Sequence, residues 1–155
     1  MGGARCGWLQ VILPDVNVLV YAHRVDAPDH ARYRRWLEGL IDGDEGLALA
    51  ETALTGFVRI VSNPRVYAEP ATTSQACAFV ETLWDSPRSR ALHATSATWK
   101  VFAELAAGDP QIRANLVPDA WLAALAISHG ARLATADRGF ARFARLQLVN
   151  PLASQ

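Results

Sequence analysis

The sequence is poor in cysteine, with only Cys6 and Cys77 among 155 residues. Two cysteines do not make the disulfide framework of a small secreted domain. Neither belongs to a C-x-x-C pair, so a thiolate metal site has no support. Both are interpreted as incidental thiols of a cytosolic protein.

Long apolar runs are also absent. No run reaches the ~18 residues that a membrane span requires. The first residues, MGGARCGWLQVIL, lack the apolar core and the small-residue cleavage site of a signal peptide. A membrane partner is therefore not expected, and residues 1–8 are interpreted as a loose N-terminal extension of a single domain over 9–155.

Neither sign of charge is in excess. Fifteen basic and fifteen acidic residues give a formal net charge of zero, so bulk charge does not predict a nucleic-acid binder. Lysine is nearly missing, since Lys100 is the only one and every other base is Arg. Arginine suits bidentate phosphate contacts, but GC-rich coding gives the same bias, so this observation carries little weight.

The chain is rich in apolar residues, which form both short strand-like runs and helix-like patterns. Hydrophobic residues make up 51%, enough for a folded domain with a sizeable core. The apolar pattern predicts strands over 9–13, 46–50, 90–94, 132–136 and 146–150. It predicts helices over 17–23, 30–41, 53–61, 76–84, 99–107 and 118–129. This alternation is typical of an α/β domain whose parallel sheet is covered on both faces.

The tryptophans within the predicted helices lie on their apolar faces. We interpret them as core residues and not as platforms for stacking bases: Trp36, Trp84, Trp99 and Trp121. The four histidines have neither metal-ligand nor catalytic-triad spacing. The chemistry of the chain is therefore sought among its acids.

Three of the predicted strands are each followed by an acid. Asp15 follows the first strand, Glu51 the second and Asp137 the fourth. The carboxyl ends of neighbouring parallel strands meet at one edge of a sheet, where ligands bind. Asp119 lies in the first turn of the sixth predicted helix, where the helix dipole favours an anion. It would join the other three if that helix begins at the same edge.

Four carboxylates in one place raise one another's pKa unless a cation neutralises them. Oxygen ligands without Cys or His select a hard ion such as Mg²⁺ or Mn²⁺. Such sites serve phosphate chemistry, in which the ion polarises a phosphoryl oxygen and activates the attacking water. Each acid also has a simpler interpretation as a helix cap or part of a turn, and the residues alone leave both open.

Three segments carry a resemblance to a known family. They are LPDVNVLVYAH (13–23), AETALTGFVRIVSNPRV (50–66) and NLVPDAWLAALAISHGARLATADRGFARF (115–143). In this order they resemble the PIN-domain ribonucleases that are the toxins of VapBC-type toxin–antitoxin pairs, the VapC family. The resemblance implies a three-layer α/β/α PIN-like domain with a mostly parallel central sheet of four or five strands.

The resemblance also assigns roles to residues. It implies that the catalytic, metal-binding carboxylates are Asp15, Glu51, Asp119 and Asp137. Three of them would hold one Mg²⁺ (or Mn²⁺), while Glu51 completes the site or helps to hold a second ion. The polar residues beside the acids are expected to orient them: Asn17, Asn115 and Thr135.

The activity implied is that of a metal-dependent endoribonuclease, the toxin component of a type II pair. A metal-activated water would hydrolyse RNA phosphodiester bonds and leave 5′-phosphate and 3′-hydroxyl ends. Arg138 and Arg142 are expected to bind the RNA backbone, since they would share one face of a helix. The expected partners are RNA, a cognate antitoxin that covers the apolar helices over 17–41, and a second copy of the chain.

Two other classes of function are weighed against this one. Aspartyl-phosphate phosphatases also begin with an acid after the first strand, but they require a second Asp where this chain has Asn17. A catalytically silent PIN-like module that binds RNA or a partner would usually have lost acids, and none is lost here. Absence of cleavage with retained RNA binding would favour that module.

Overall fold

The computed structural model describes residues 11–153, which form five parallel strands between two layers of helices. Residues 1–10 and 154–155 lie outside the described part of the chain. The predicted extension over 1–8 and the first two residues of the predicted strand 9–13 therefore lie outside it as well.

The order of the elements follows the predicted alternation. The strands are β1 (Val11–Pro14), β2 (Gly46–Leu49), β3 (Ser89–Ala91), β4 (Arg132–Ala134) and β5 (Leu148–Val149). The helices are α1 (Val16–His23), α2 (His30–Asp42), α3 (Glu51–Val61), α4 (Thr73–Trp84), α5 (Ser96–Gly108) and α6 (Val117–His129). Two 3₁₀ helices, Ala114–Leu116 and Arg138–Arg142, precede α6 and follow β4.

The sheet has the order β3-β2-β1-β4-β5, and every neighbouring pair of strands is parallel. The predicted three-layer α/β/α fold with a parallel sheet is confirmed. β1 lies at the centre, where Ile12 pairs with Leu47 of β2 and Pro14 pairs with Ala134 of β4. The ends of β1, β2 and β4, which precede three of the four acids, are therefore adjacent.

Alternate residues of the central strands face the two helical layers, as strand geometry requires. Ile12, Leu47 and Leu49 pack with α1, α2, α3 and α4 on one face of the sheet. Leu13 and Leu133 pack with α6 on the other face. Each fully buried Leu contributes roughly 1.5–3 kcal/mol by leaving water, so these strands fix the frame that carries the site.

Helix ends differ from the predictions where side chains cap the backbone. α5 begins at Ser96 and not at Trp99, because Thr95 and Thr98 form a capping box one turn earlier. α6 ends as predicted at His129, followed by Gly130 in the left-handed conformation (φ 66°) that glycine adopts without strain. Within residues 11–153, every helix is too short or too polar to span a bilayer.

Two of the tryptophans interpreted as core residues are exposed. Trp99 is 60% exposed and Trp84 is 40% exposed, whereas Trp36 and Trp121 are half-buried. Helical spacing predicts the face on which a residue lies but not whether another element covers it. The ring of Trp99 packs on Trp121 (4.8 Å between centroids) and Phe102 (5.8 Å), and its outer side remains in solvent.

Candidate active site

Asp15 lies at the end of the central strand and is held there by two hydrogen bonds. It is the N-cap of α1, and its Oδ1 accepts the backbone N–H of Val16 at 2.7 Å. Its Oδ2 accepts the hydroxyl of Thr135 at 2.9 Å. Because Asp15 is only 5% exposed, these donors replace the water that an ionised carboxylate otherwise requires. The interpretation of Asp15 as a helix cap therefore holds together with its place among the acids.

Thr135 joins the ends of β1 and β4. While its hydroxyl donates to Asp15, the same oxygen accepts the backbone N–H of Asp137 at 3.0 Å. The backbone N–H of Asp15 donates in turn to the carbonyl of Ala134 at 2.9 Å. Thr135 is 6% exposed, so one buried hydroxyl ties the side chain of one acid to the main chain of another.

Asp137 caps the 3₁₀ helix Arg138–Arg142. Its Oδ1 accepts the backbone N–H of Gly139 at 2.7 Å. A Cβ atom at Gly139 would lie 3.0 Å from that oxygen, so the turn leaves little room for a larger residue. The interpretation of this segment as a turn is correct, and the turn holds the acid at the edge of the sheet.

Neighbouring negative charges raise the pKa of two of the aspartates, Asp15 and Asp119. Burial raises the pKa of Asp15 above its ordinary value, and hydrogen bonds from Thr135 and Val16 oppose that rise. The charges of Asp119 and Asp137 raise it further. Burial, followed by the charge of Asp137, also raises the pKa of Asp119, which lies in the first turn of α6 as predicted. These three carboxylates form one electrostatic group.

Glu51 is placed differently. It is the first residue of α3, directly beyond β2, and it is exposed. It lines a cleft of about 330 Å³ between α3 and α4, together with Glu81 and Trp84. Its charge is not among the principal causes that shift the pKa of Asp15 or Asp119.

The expected gathering of all four acids around one ion is not found. Within residues 11–153, no group of three or more His, Cys, Asp or Glu side chains is arranged to hold a metal ion. Like charges repel, and Asp15 and Asp137 each face the donors of their own caps. The chemistry of the donors still fits a hard cation, because carboxylate oxygens are its preferred ligands and the neighbouring negative charges raise the pKa of Asp15 and Asp119.

Of the three polar residues predicted to orient the acids, Thr135 is hydrogen-bonded to them and, within residues 11–153, the two asparagines are not. Thr135 contacts two of the acids, as described above. Asn17 is exposed in the first turn of α1, and Asn115 is exposed in the 3₁₀ helix before α6. No hydrogen bond joins either asparagine to an acid in the part of the chain that the structure describes. Their orienting roles stay predictions.

The two arginines predicted to share a helix face do not share one. Their segment is a 3₁₀ helix, with three residues per turn, so positions four apart point in different directions. Arg142 contacts Gln111 and Asp109, at the turn that follows α5. The side chain of Arg138 is exposed and has no hydrogen bond or ion pair with another residue of 11–153. The sequence does not predict these partners of Arg142, because no local pattern indicates a contact such as the one with Gln111, across 31 positions.

The chain is similar in sequence to known proteins over most of its length. The sequence profile of the PIN domain matches residues 12–146. The VapC ribonuclease Mb2897 of Mycobacterium bovis is 45% identical over 141 residues, which are 91% of this chain and 95% of the relative. Ribonuclease VapC31 of Mycobacterium tuberculosis is 31% identical over 141 residues, 91% of this chain and 99% of the relative.

Two solved structures share the fold. VapBC2 from Rickettsia felis, bound to a promoter DNA fragment, superposes with a TM-score of 0.68 at 22% identity and covers 91% of this chain and 98% of its own. FitAcB from Neisseria gonorrhoeae superposes with a TM-score of 0.62 at 20% identity, covering 92% of this chain and 99% of its own. At these identities the likeness extends to the fold alone.

Proposed function

The chain belongs to the PIN domain family, and on that premise we propose that it is a metal-dependent endoribonuclease, the toxin of a type II toxin–antitoxin pair. Support from sequence is the 45% identity to a protein named as a VapC ribonuclease. The observation that carries the proposal is the buried Asp15, bonded through Thr135 to the main chain of Asp137 and within the electrostatic influence of Asp119.

In this proposal Asp15, Asp119 and Asp137 bind Mg²⁺ (or Mn²⁺), and Glu51 completes the site or assists with a second ion. A divalent cation, when bound, supplies activation of the attacking water and neutralisation of charge on the scissile phosphate. The raised pKa values of Asp15 and Asp119 support a site that accepts positive charge.

The residues of the chain supply orientation. Asp15 cannot turn freely, because one oxygen is held by the N-terminus of α1 and the other by Thr135. The Thr135 bond to the Asp137 N–H fixes the point from which the Asp137 side chain projects. Such preorganisation avoids rearrangement when the substrate arrives. The neutral chain must still attract an anionic backbone, and Arg138 and Arg142, next to Asp137, are the proposed contacts.

The antitoxin is proposed to cover the apolar side of α1 and α2, where the structure has a cleft of about 420 Å³ closed on one side by α4. Its apolar lining includes Leu37, Ile41 and Phe79, and its polar lining includes Arg34 and Glu38. An amphipathic segment of a partner protein suits such a cleft. A homodimer of the toxin is likewise part of the proposal.

The test is Asp15→Asn. Asparagine caps a helix as well as aspartate does, so the fold should persist. We expect cleavage of RNA in Mg²⁺ or Mn²⁺ to fall by at least about 100-fold, since even groups that only support a metal ligand are worth 10–100-fold. Mapping of 5′-phosphate ends after brief induction measures this in cells.

The matched control is Asp85→Asn, the same change at the exposed end of α4. It should leave cleavage within two-fold or so of wild type, as surface substitutions usually do. Undiminished cleavage by Asp15→Asn would contradict the proposal. Failure of the unmodified chain to cut a broad RNA panel in Mn²⁺, with RNA binding retained, would favour the catalytically silent binding module.

A further inference from the structure

The side chain of Arg142 is held by two other side chains, and its charge acts on Asp119. Its Nη2 donates to Oε1 of Gln111 at 3.0 Å, and its Nη1 lies 3.9 Å from Oδ2 of Asp109. The side chains of Arg142 and Asp109 are 28% and 31% exposed. By comparison, those of Arg145 and its partner Glu104 are 54% and 50% exposed. The ion pair of Arg142 is therefore better shielded from solvent than that of Arg145. We call the contacts of Arg142 with Gln111 and Asp109 its tether.

The tether comes from a turn with its own internal bonds. Asp109 uses one carboxylate oxygen, Oδ1, to accept the backbone N–H of Gln111 at 2.9 Å. The backbone N–H of Ile112 donates to the carbonyl of Asp109 at 3.0 Å. With Oδ1 used in the turn, Oδ2 faces Arg142. The same turn leads into α6, so it connects the element that carries Asp119 with the segment that follows Asp137.

The tether also keeps the Arg142 guanidinium from pairing with the aspartates of the site. A free guanidinium near a carboxylate would pair with it and occupy its oxygens. Arg142 is near enough for its charge to oppose the rise in the pKa of Asp119. Its bonds within residues 11–153 nevertheless go to Gln111 and Asp109, and no ion pair joins it to Asp15, Asp119 or Asp137. Its charge is thus brought to the site while the acids stay unpaired with it.

We propose that Asp109 and Gln111 are positioning residues, which hold the Arg142 guanidinium at the rim of the acidic site so that it binds a phosphate of RNA. This inference rests on the proposed ribonuclease function. A guanidinium has five N–H donors, so the contacts with Gln111 and Asp109 leave several of them for phosphate oxygens. Arg138 lacks such a tether, so binding must order it at an entropic cost.

The test is a double-mutant cycle on RNA binding by the full chain, measured in EDTA with a fluorescent pool of random single-stranded RNA. Arg142→Ala should weaken binding on the order of ten-fold, as expected for a charged hydrogen bond. It should also lower the slope of log affinity against log salt by about 0.7. Gln111→Ala should weaken binding by roughly two- to ten-fold, the cost of freeing one long side chain. The double variant should bind like Arg142→Ala alone.

Asp109→Asn is the second variant, because asparagine still forms the turn but loses the charge that faces Arg142. It should weaken binding in wild-type chain and have no effect when Arg142 is already Ala. Arg145→Ala is the control, since it removes one arginine from the same segment whose partner is Glu104. It should change binding by less than about two-fold, as for an exposed ion pair.

Additive effects of Gln111→Ala and Arg142→Ala would overturn the inference, since they would mean that Gln111 acts through the general stability of the turn. An Arg142→Ala effect no larger than that of Arg145→Ala would also overturn it. If the unmodified chain cuts RNA in a manner that depends on Asp15 but the cycle shows no coupling, only this inference fails. If the unmodified chain neither binds nor cuts RNA, the proposed function fails with it.

Discussion

The edge of the sheet that carries the acids has two unlike halves. At the ends of β1 and β4, Asp15 and Thr135 are buried and bonded to each other, and Thr135 also accepts the N–H of Asp137. At the end of β2, Glu51 is exposed and lines the cleft between α3 and α4. Both halves are at the carboxyl ends of adjacent strands, so topology alone does not distinguish them.

The difference lies in the energy of placing a charge. A buried carboxylate is costly unless hydrogen bonds satisfy it, and Asp15 has two such bonds, although burial still dominates its pKa. Groups with a perturbed pKa cluster at functional sites. Glu51 remains in water and requires no such support. Substitutions in the β1–β4 half should therefore harm cleavage more than a substitution at β2.

After that of Asp15→Asn, the largest effect is expected at the Thr135 hydroxyl, which contacts both Asp15 and the main chain of Asp137. Thr135→Val keeps the shape of the side chain but removes the donor to Asp15 and the acceptor for the Asp137 N–H. Cleavage should fall by roughly 10–100-fold, as is usual when a group that orients a metal ligand is lost. The pKa of Asp15 should rise further, because the bond from Thr135 lowers it. The pH–rate profile of purified protein measures both changes.

Thr135→Ser is the matched control, because it retains the hydroxyl and loses only a methyl group. It should restore most of the cleavage rate and the position of the acidic limb of the profile. Equal losses in the Val and Ser variants would mean that Thr135 acts through packing. The contrast between the two halves of the edge would then lose its basis in hydrogen bonding.

Glu51→Gln should have a smaller effect of a different kind. An exposed carboxylate at the start of α3 is proposed to complete the ion site or assist a second ion, so its loss should raise the Mn²⁺ concentration needed for half-maximal cleavage. About ten-fold is expected, the lower end of the range for supporting groups. High Mn²⁺ should restore most of the rate, whereas it should not restore that of Asp15→Asn. If no Mn²⁺ concentration restores cleavage by Glu51→Gln, Glu51 is as essential to the reaction as Asp15 and the predicted contrast is wrong.

Much of this arrangement could be predicted from the sequence. Apolar periodicity is a local property, so it predicts strands and helices, and an acid directly after a strand is carried to the edge of a parallel sheet. The resemblance to PIN-domain ribonucleases, now confirmed at the level of the family, supplied the relation between distant segments. Asp15 and Asp119 lie where this reasoning put them.

The remaining features depend on contacts between segments far apart in the chain. The orientation of Glu51 depends on side-chain geometry within the cleft that α3 and α4 form, which periodicity does not describe. The segment after Asp137 has only five helical residues, too few for the sequence pattern to distinguish a 3₁₀ helix from an α-helix. The sequence therefore does not predict that Arg138 and Arg142 point in different directions. The bond from Arg142 to Gln111 has no local signal at all.

The smallest effect is that of Asp15→Asn on the free energy of unfolding. Its dependence on pH distinguishes the β1–β4 half of the edge from the β2 half. The folded chain holds the proton of Asp15 more tightly than the unfolded chain, whose carboxyl titrates near 3.8. The stability that Asp15 contributes is therefore present below that value and is lost as pH rises through the raised pKa. At pH 7 the buried charge opposes folding, so Asp15→Asn should raise the free energy of unfolding by the order of 1 kcal/mol, as neutralising an active-site charge often does.

This gain corresponds to a rise in Tm of about 2–4 °C for a chain of this size, measured in EDTA. The difference between Asp15→Asn and wild type should shrink as the pH is lowered through the raised pKa towards 4, because protonation makes the wild-type side chain neutral as well. Glu51→Gln should give no comparable gain at pH 7, since its charge is already in water. A stability difference for Asp15→Asn that stays constant with pH would mean that desolvation of the Asp15 charge does not set the contrast between the two halves of the edge.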